Sequence, residues 1–115
     1  MEAKEIIKKI EEVLSDSDLF PSDFFREEYS NADLEALELA VGKFEEVERG
    51  RGSVGDHDSY DIVYHFKDHD VYLLASGYYS SWEGTDWSDA EFVEVKPKQK
   101  TITVYERVRR AASNV

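Results

Sequence analysis

Apolar side chains recur at helical spacing through roughly the first third of the chain and at alternate positions after it, so the period changes once. Ile6, Ile7, Ile10, Val13 and Leu14 fall on one face of a helix over 2–15, with Glu5 and Lys9 one turn apart on the solvated side. The polar run Ser15-Asp16-Ser17-Asp18 stops it. Leu19-Phe20-Pro21 makes an apolar connection, and Ser22 caps a short helical turn reaching Tyr29 that sends Phe24 and Phe25 inward. Ser30-Asn31 starts the next helix, because its side chains accept orphan amide hydrogens. Asp33 lies in the first turn, Leu34, Leu37 and Val41 share a face, and Gly42 closes the helix.

Beyond Gly42 the pattern alternates, beginning with Phe44-Glu45-Glu46-Val47-Glu48, and Gly50, Gly52 and Gly55 make a flexible turn. The runs 60–67 and 71–79, joined by Asp68-His69-Asp70, predict an antiparallel hairpin with Tyr60, Ile62, Tyr64 and Phe66 on one face. The runs 92–95 and 101–105 predict a further pair, since Lys96-Pro97-Lys98-Gln99-Lys100 suits a connection better than a strand interior. Helices followed by a four- to five-stranded antiparallel meander make an α+β fold. A chain of 115 residues suits one domain, in which residues 1–42 are helical, residues 43–106 build the sheet and residues 107–115 form a basic tail.

Charge changes the picture most. With 26 acidic and 14 basic residues the net charge is −12, the opposite of a nucleic-acid binder's. It is also unevenly placed: from Lys96 onward the chain carries +5 and residues 1–95 carry −17. Duplex nucleic acid would be repelled from most of such a surface, so the basic residues Arg107, Arg109 and Arg110 point to self-association or to an acidic patch on a partner. There is no cysteine, hence no disulfide or thiolate metal site. No apolar run is long enough to span a membrane, and the N-terminus lacks a long apolar stretch, so the expected location is the cytoplasm.

Three stretches resemble small proteins of bacteriophages: Tyr64-His65-Phe66-Lys67-Asp68-His69-Asp70-Val71-Tyr72, the segment from Gly77 to Trp87, and that from Glu94 to Glu106. The resemblance covers the sheet-forming half. Such proteins include accessory factors that disable host enzymes or defence systems, so it implies a viral protein that acts by binding, an inhibitor of the anti-CRISPR or anti-restriction type. It brings no catalytic residues with it.

Catalytic and metal chemistry find little support in the residues. Asp56-His57-Asp58, His65 and Asp68-His69-Asp70 supply imidazoles and carboxylates, but turns favour Asp for its local hydrogen bonds and the spacing matches no defined metal site. No nucleophile elbow, phosphate loop or His-Glu-x-x-His pair occurs. The expectation is a non-enzymatic protein that needs no cofactor. Its carboxylates Glu45, Glu46, Glu48, Asp86, Asp89 and Glu91 would imitate a nucleic-acid backbone in the cationic groove of a host protein or nucleoprotein complex. The aromatic loop supplies Tyr78, Tyr79, Trp82 and Trp87, with Trp82 or Trp87 filling an apolar pocket on the partner. A self-associating structural protein of a virion, with a homodimer as its simplest form, and a small metal-dependent enzyme are the alternatives.

Overall fold

The computed structural model describes residues 1–51, 59–82, 84–98, 103–105 and 107–108. Three helices precede the sheet: α1 (Ala3–Asp16), α2 (Pro21–Phe25) and α3 (Asn31–Val41). In α1 the stripe Ala3, Ile6, Ile10 and Leu14 is buried, as the helical spacing requires. The chain then reverses through Asp18, which takes a left-handed conformation at φ 57°. The Leu19 amide donates to the Leu14 carbonyl at 2.8 Å and the Asp18 amide to that of Ser15 at 3.1 Å, so the terminal carbonyls are satisfied. The α2 helix is shorter than the sequence predicts, ending at Phe25 rather than reaching Tyr29. Glu27 turns left-handed at φ 58°, which closes the helix and lays the Tyr29 ring on Phe24 at 5.9 Å.

Ser30 and Asp33 cap α3 reciprocally. The Asp33 amide donates to Ser30 Oγ at 3.2 Å, and the Ser30 amide donates to Asp33 Oδ2 at 3.0 Å. Ser17 adds a hydroxyl donor to Asp33 Oδ1 at 2.6 Å, tying the end of α1 to the start of α3. These bonds, the Ser17 hydroxyl foremost, hold the Asp33 carboxyl below its ordinary value of 3.8. A depressed carboxyl contributes stability that is fully present above its ordinary value and is lost as pH falls through the lower, folded one. Ser30→Ala is expected to lower unfolding free energy by about 1 kcal/mol. Asp33→Asn should flatten the acid limb of stability below about pH 4 in denaturant titrations.

The sheet holds β1 (Phe44–Arg51), β2 (Ser59–Phe66), β3 (Val71–Ser80), β4 (Gly84–Asp86) and β5 (Phe92–Val95), all pairs antiparallel. Its order is β1-β2-β3, with β4 and β5 both on the far side of β3. Gly50 belongs to β1, while Gly52 and Gly55 of the expected turn lie outside the described residues, as do Arg109 and Arg110 of the basic tail. The β2–β3 hairpin and its Asp68-His69-Asp70 turn stand where the sequence predicts them, with Phe66 opposite Val71. The expected partner of 92–95 does not. Phe92–Val95 pairs with Tyr72–Ala75 of β3 instead, while Thr103–Tyr105 is irregular and Thr101 and Ile102 lie outside the described residues. Burial explains the choice: beside β3, Phe92 meets Phe24, Phe25 and Tyr64 at ring distances of 5.5, 5.1 and 6.3 Å.

One apolar cluster joins helices to sheet, with Ile6, Ile10, Leu14, Phe24, Phe25, Leu37 and Val41 meeting Ile62, Tyr64, Phe66, Leu73 and Ala75. The helices therefore cover one face. The other face carries Val63, His65, Tyr72, Leu74 and Val93, with His65 stacked on Tyr72 at 4.1 Å. Asp61 on that face is buried and accepts a hydrogen bond from Ser76, its cross-strand neighbour, at 2.7 Å.

Candidate binding edge

The predicted contact residues divide between the two edges of the sheet. Glu45, Glu46 and Glu48 lie on β1, whereas Asp86, Asp89 and Glu91 lie on and after β4, with β2 and β3 between them. At about 4.8 Å per strand the two groups stand roughly 14 Å apart in the sheet, so they do not form one patch.

On β1 the carboxylates already have partners. Arg49 grips Glu46 with two nitrogens, at 2.7 and 2.9 Å, and reaches Glu27 at 3.6 Å, while Lys67 approaches Glu45 at 3.4 Å. A bulge between Glu46 and Glu48 makes the first pairing possible, since without it residues three apart in a strand face opposite sides. The Glu46 hydrogen bond is also the main cause that raises the Arg49 pKa, with burial opposing it. Beneath this pair the Tyr64 hydroxyl is buried with no hydrogen-bond partner among the described residues, and burial, with Glu46 next, pushes its pKa up. Glu45 and Glu48, opposite His65 and Val63, lie on the open face, Glu48 beside Val47 and Pro97, whereas Glu46, opposite Tyr64, lies on the helix side.

The opposite edge is built differently. The strand predicted to end at Tyr79 ends at Ser80, so β3 carries Tyr78 and Tyr79; of the expected aromatic loop, Ser81 and Trp82 form a turn and β4 returns with Tyr78 facing Asp86. Trp82 sits on this tip with 88% of its surface exposed, and Tyr78 is 65% exposed. Tyr79 is occupied by Arg51, whose guanidinium lies 4.1 Å from the ring centre.

Trp87 is not an exposed anchor. It is 6% exposed and packs against Phe25 at 5.4 Å and Tyr60 at 6.1 Å, so it belongs to the core. Gly77 makes room for it, because a Cβ there would stand 2.8 Å from Trp87 Cε3 and 2.7 Å from Thr85 Cγ2. Gly77→Val is expected to cost about 1–3 kcal/mol through overpacking, read as a fall in the denaturant midpoint with an unchanged slope.

After Trp87 the chain bends back. Asp86 accepts from the Ser88 hydroxyl at 2.6 Å and the Ser88 amide at 2.9 Å, and these bonds, helped by Arg26, hold its carboxyl below the ordinary value. Asp89 and Glu91 then line a surface depression of about 630 Å³ together with Ile7, Glu11, Pro21 and Phe92. The structure thus adds Glu11 to the site. No sequence pattern sets it apart from the other surface glutamates of α1. Among the described residues no basic side chain forms an ion pair with Glu11, Asp89 or Glu91.

Histidine chemistry is dispersed. His65 Nε2 lies 3.2 Å from Asp70, His69 Nδ1 lies 3.0 Å from the Met1 amino group, and Asp56-His57-Asp58 falls outside the described residues. Among the described residues no group of three or more His, Cys, Asp or Glu side chains is arranged to hold a metal ion, and no helix is long and apolar enough to cross a membrane. The chain matches no protein-family model, no curated protein and no solved structure.

Proposed function

We propose that the protein is a non-catalytic binding module that occupies a cationic groove on a nucleic-acid-handling enzyme or defence complex and so inhibits it. The observation that carries this reading is the edge formed by β4 and the segment after it. An exposed Trp82 stands at its tip, and carboxylates without basic partners among the described residues follow along the same side. Tryptophan in such a position supplies buried area at low entropic cost once a partner closes over it. Free carboxylates supply the pairing for Arg and Lys and steer the encounter. The likeness of the sheet-forming half to bacteriophage proteins supports a bacterial host target, and the net charge of −12 agrees with imitation of a phosphate backbone.

In this arrangement Asp89, Glu91 and Glu11 meet the basic groove, Trp82 fills an apolar recess at its end, and Tyr78 and Asp86 extend the contact. Glu45 and Glu46 contribute less, because Lys67 and Arg49 already neutralise them. The test is competition: if the reading holds, the protein and a nucleic-acid substrate displace each other from the target, and Asp89→Lys with Glu91→Lys weakens the displacement. Simultaneous binding of both would refute it.

A further inference from the structure

The β1 edge of the sheet is open. Among the described residues β1 pairs only with β2, Glu45 to Arg49 are all exposed, and the eight residues of the strand include no proline to block a neighbour. The backbone groups that β1 turns away from β2 are therefore offered to a strand from outside.

Charge along this edge selects the strand that fits. The Phe44 end carries Glu45 and Glu46, and the opposite end carries Arg49 and Arg51. A second β1 laid antiparallel sets the acidic end of each copy against the basic end of the other, whereas a parallel one would set the two glutamates against themselves. We propose that two copies of this chain associate edge to edge, β1 of one pairing antiparallel with β1 of the other around a two-fold axis.

The register follows from the bulge. Residues opposite one another in an antiparallel pair project from the same face. Pairing with β2 gives the face of each: Phe44, Glu46, Arg49 and Arg51 project to the helix side with Phe66, Tyr64, Ile62 and Tyr60, and Glu45 and Gly50 to the open side with His65 and Asp61. Phe44 opposite Arg51, Glu45 opposite Gly50 and Glu46 opposite Arg49 is thus a register that uses the whole strand and keeps each of these pairs on one face. In a regular strand Glu46 and Arg49, three apart, would face opposite sides and this self-pairing would fail. The bulge between Glu46 and Glu48 shifts the alternation by one residue and permits it. Arg49, already 2.7 Å from Glu46 of its own copy, then stands across from Glu46 of the second copy. Two arginines and two glutamates of alternating sign so line the seam on the helix side. Val47, 46% exposed at the bulge, comes to lie beside its counterpart at the two-fold axis. The Trp82 edge lies beyond β2 and β3, so the dimer leaves it uncovered and carries it twice.

Sedimentation velocity on the full chain tests this, with a mass of twice 13.3 kDa expected. Glu46→Arg puts a base at both positions 46 and 49, and Arg49→Glu puts an acid at both. Either variant alone should dimerise at least about 10-fold more weakly, because like charges then face each other across the seam. Mixed in equal amounts the two complement each other at both pairs, and the mixture should recover the dimer as a heterodimer. Loss of association through misfolding would not be repaired by mixing, and far-UV circular dichroism of each variant checks the fold directly. A monomeric wild type across the accessible concentration range overturns the proposal. So do single variants that dimerise as tightly as the wild type, and so does a mixture that stays monomeric.

Discussion

Phe24→Ala is expected to be the most destabilising change to the helical half, lowering unfolding free energy by about 3–5 kcal/mol. Phe24 is 1% exposed, and its ring lies 5.2 Å from Tyr64, 5.5 Å from Phe92, 5.6 Å from Phe44, 5.9 Å from Tyr29 and 6.0 Å from Phe25. Those partners come from β2, β5, β1, the segment after α2 and α2 itself, a helix only five residues long. A helix that short has no stability of its own, so it exists because Phe24 and Phe25 are buried. Truncation leaves a void whose lining is mostly rigid rings, which collapse into it poorly. A fall in Tm of about 10–20 °C follows for a domain of this size. Phe20→Ala provides the comparison. That ring is 72% exposed, so its loss should change stability by no more than about 0.5 kcal/mol. If the two variants unfold alike, Phe24 is not the junction between helices and sheet.

Trp82→Ala is expected to do the reverse, leaving stability within about 0.5 kcal/mol and weakening binding to the target by at least about 2 kcal/mol, roughly 30-fold. The side chain is 88% exposed, so the fold does not need it. Trp87→Ala separates the two tryptophans: it removes a core ring and should cost about 3–5 kcal/mol of stability. The carboxylates differ again. Asp89→Lys and Glu91→Lys should slow association and reduce the dependence of affinity on salt, since they act mainly on the encounter. Trp82→Ala should act on dissociation. Calorimetry with the purified target, set beside thermal unfolding of each variant, distinguishes these outcomes. A Trp82→Ala protein that binds with unchanged affinity removes the anchor from the account.

Much of this architecture is legible in the sequence because local rules and burial agree there. The stripe from Ile6 to Leu14, the Ser30 and Asp33 cap and the alternation from Tyr60 to Phe66 each state a helix face, a start or a strand face by spacing alone. Where the reading misses, long-range packing decides. Nothing in the composition of 92–95 says that its partner is β3 rather than the following segment; the aromatic cavity around Phe24 does.

The site follows the same division. Residue type marks Trp82 and Trp87 equally, and only Gly77, a glycine inside a strand pattern, hints that a bulky ring lies against that strand. The neutralisation of Glu46 depends on the bulge that brings Arg49 to its side, and a one-residue bulge leaves no mark in the alternation of Glu45 to Arg49. Glu11 is hidden because a surface glutamate on an amphipathic helix has no distinguishing pattern until the 87–91 segment folds over beside it.

The measurement closest to the central claim is capture from a bacterial lysate at low and high salt, using the wild-type chain beside one carrying Trp82→Ala, Asp89→Lys and Glu91→Lys. The account predicts that the wild type retains a nucleic-acid-handling protein or complex at low salt, releases it at high salt, and that the variant retains none. The same proteins on both baits at both salt concentrations, or recovery of nothing but the chain itself, would contradict it.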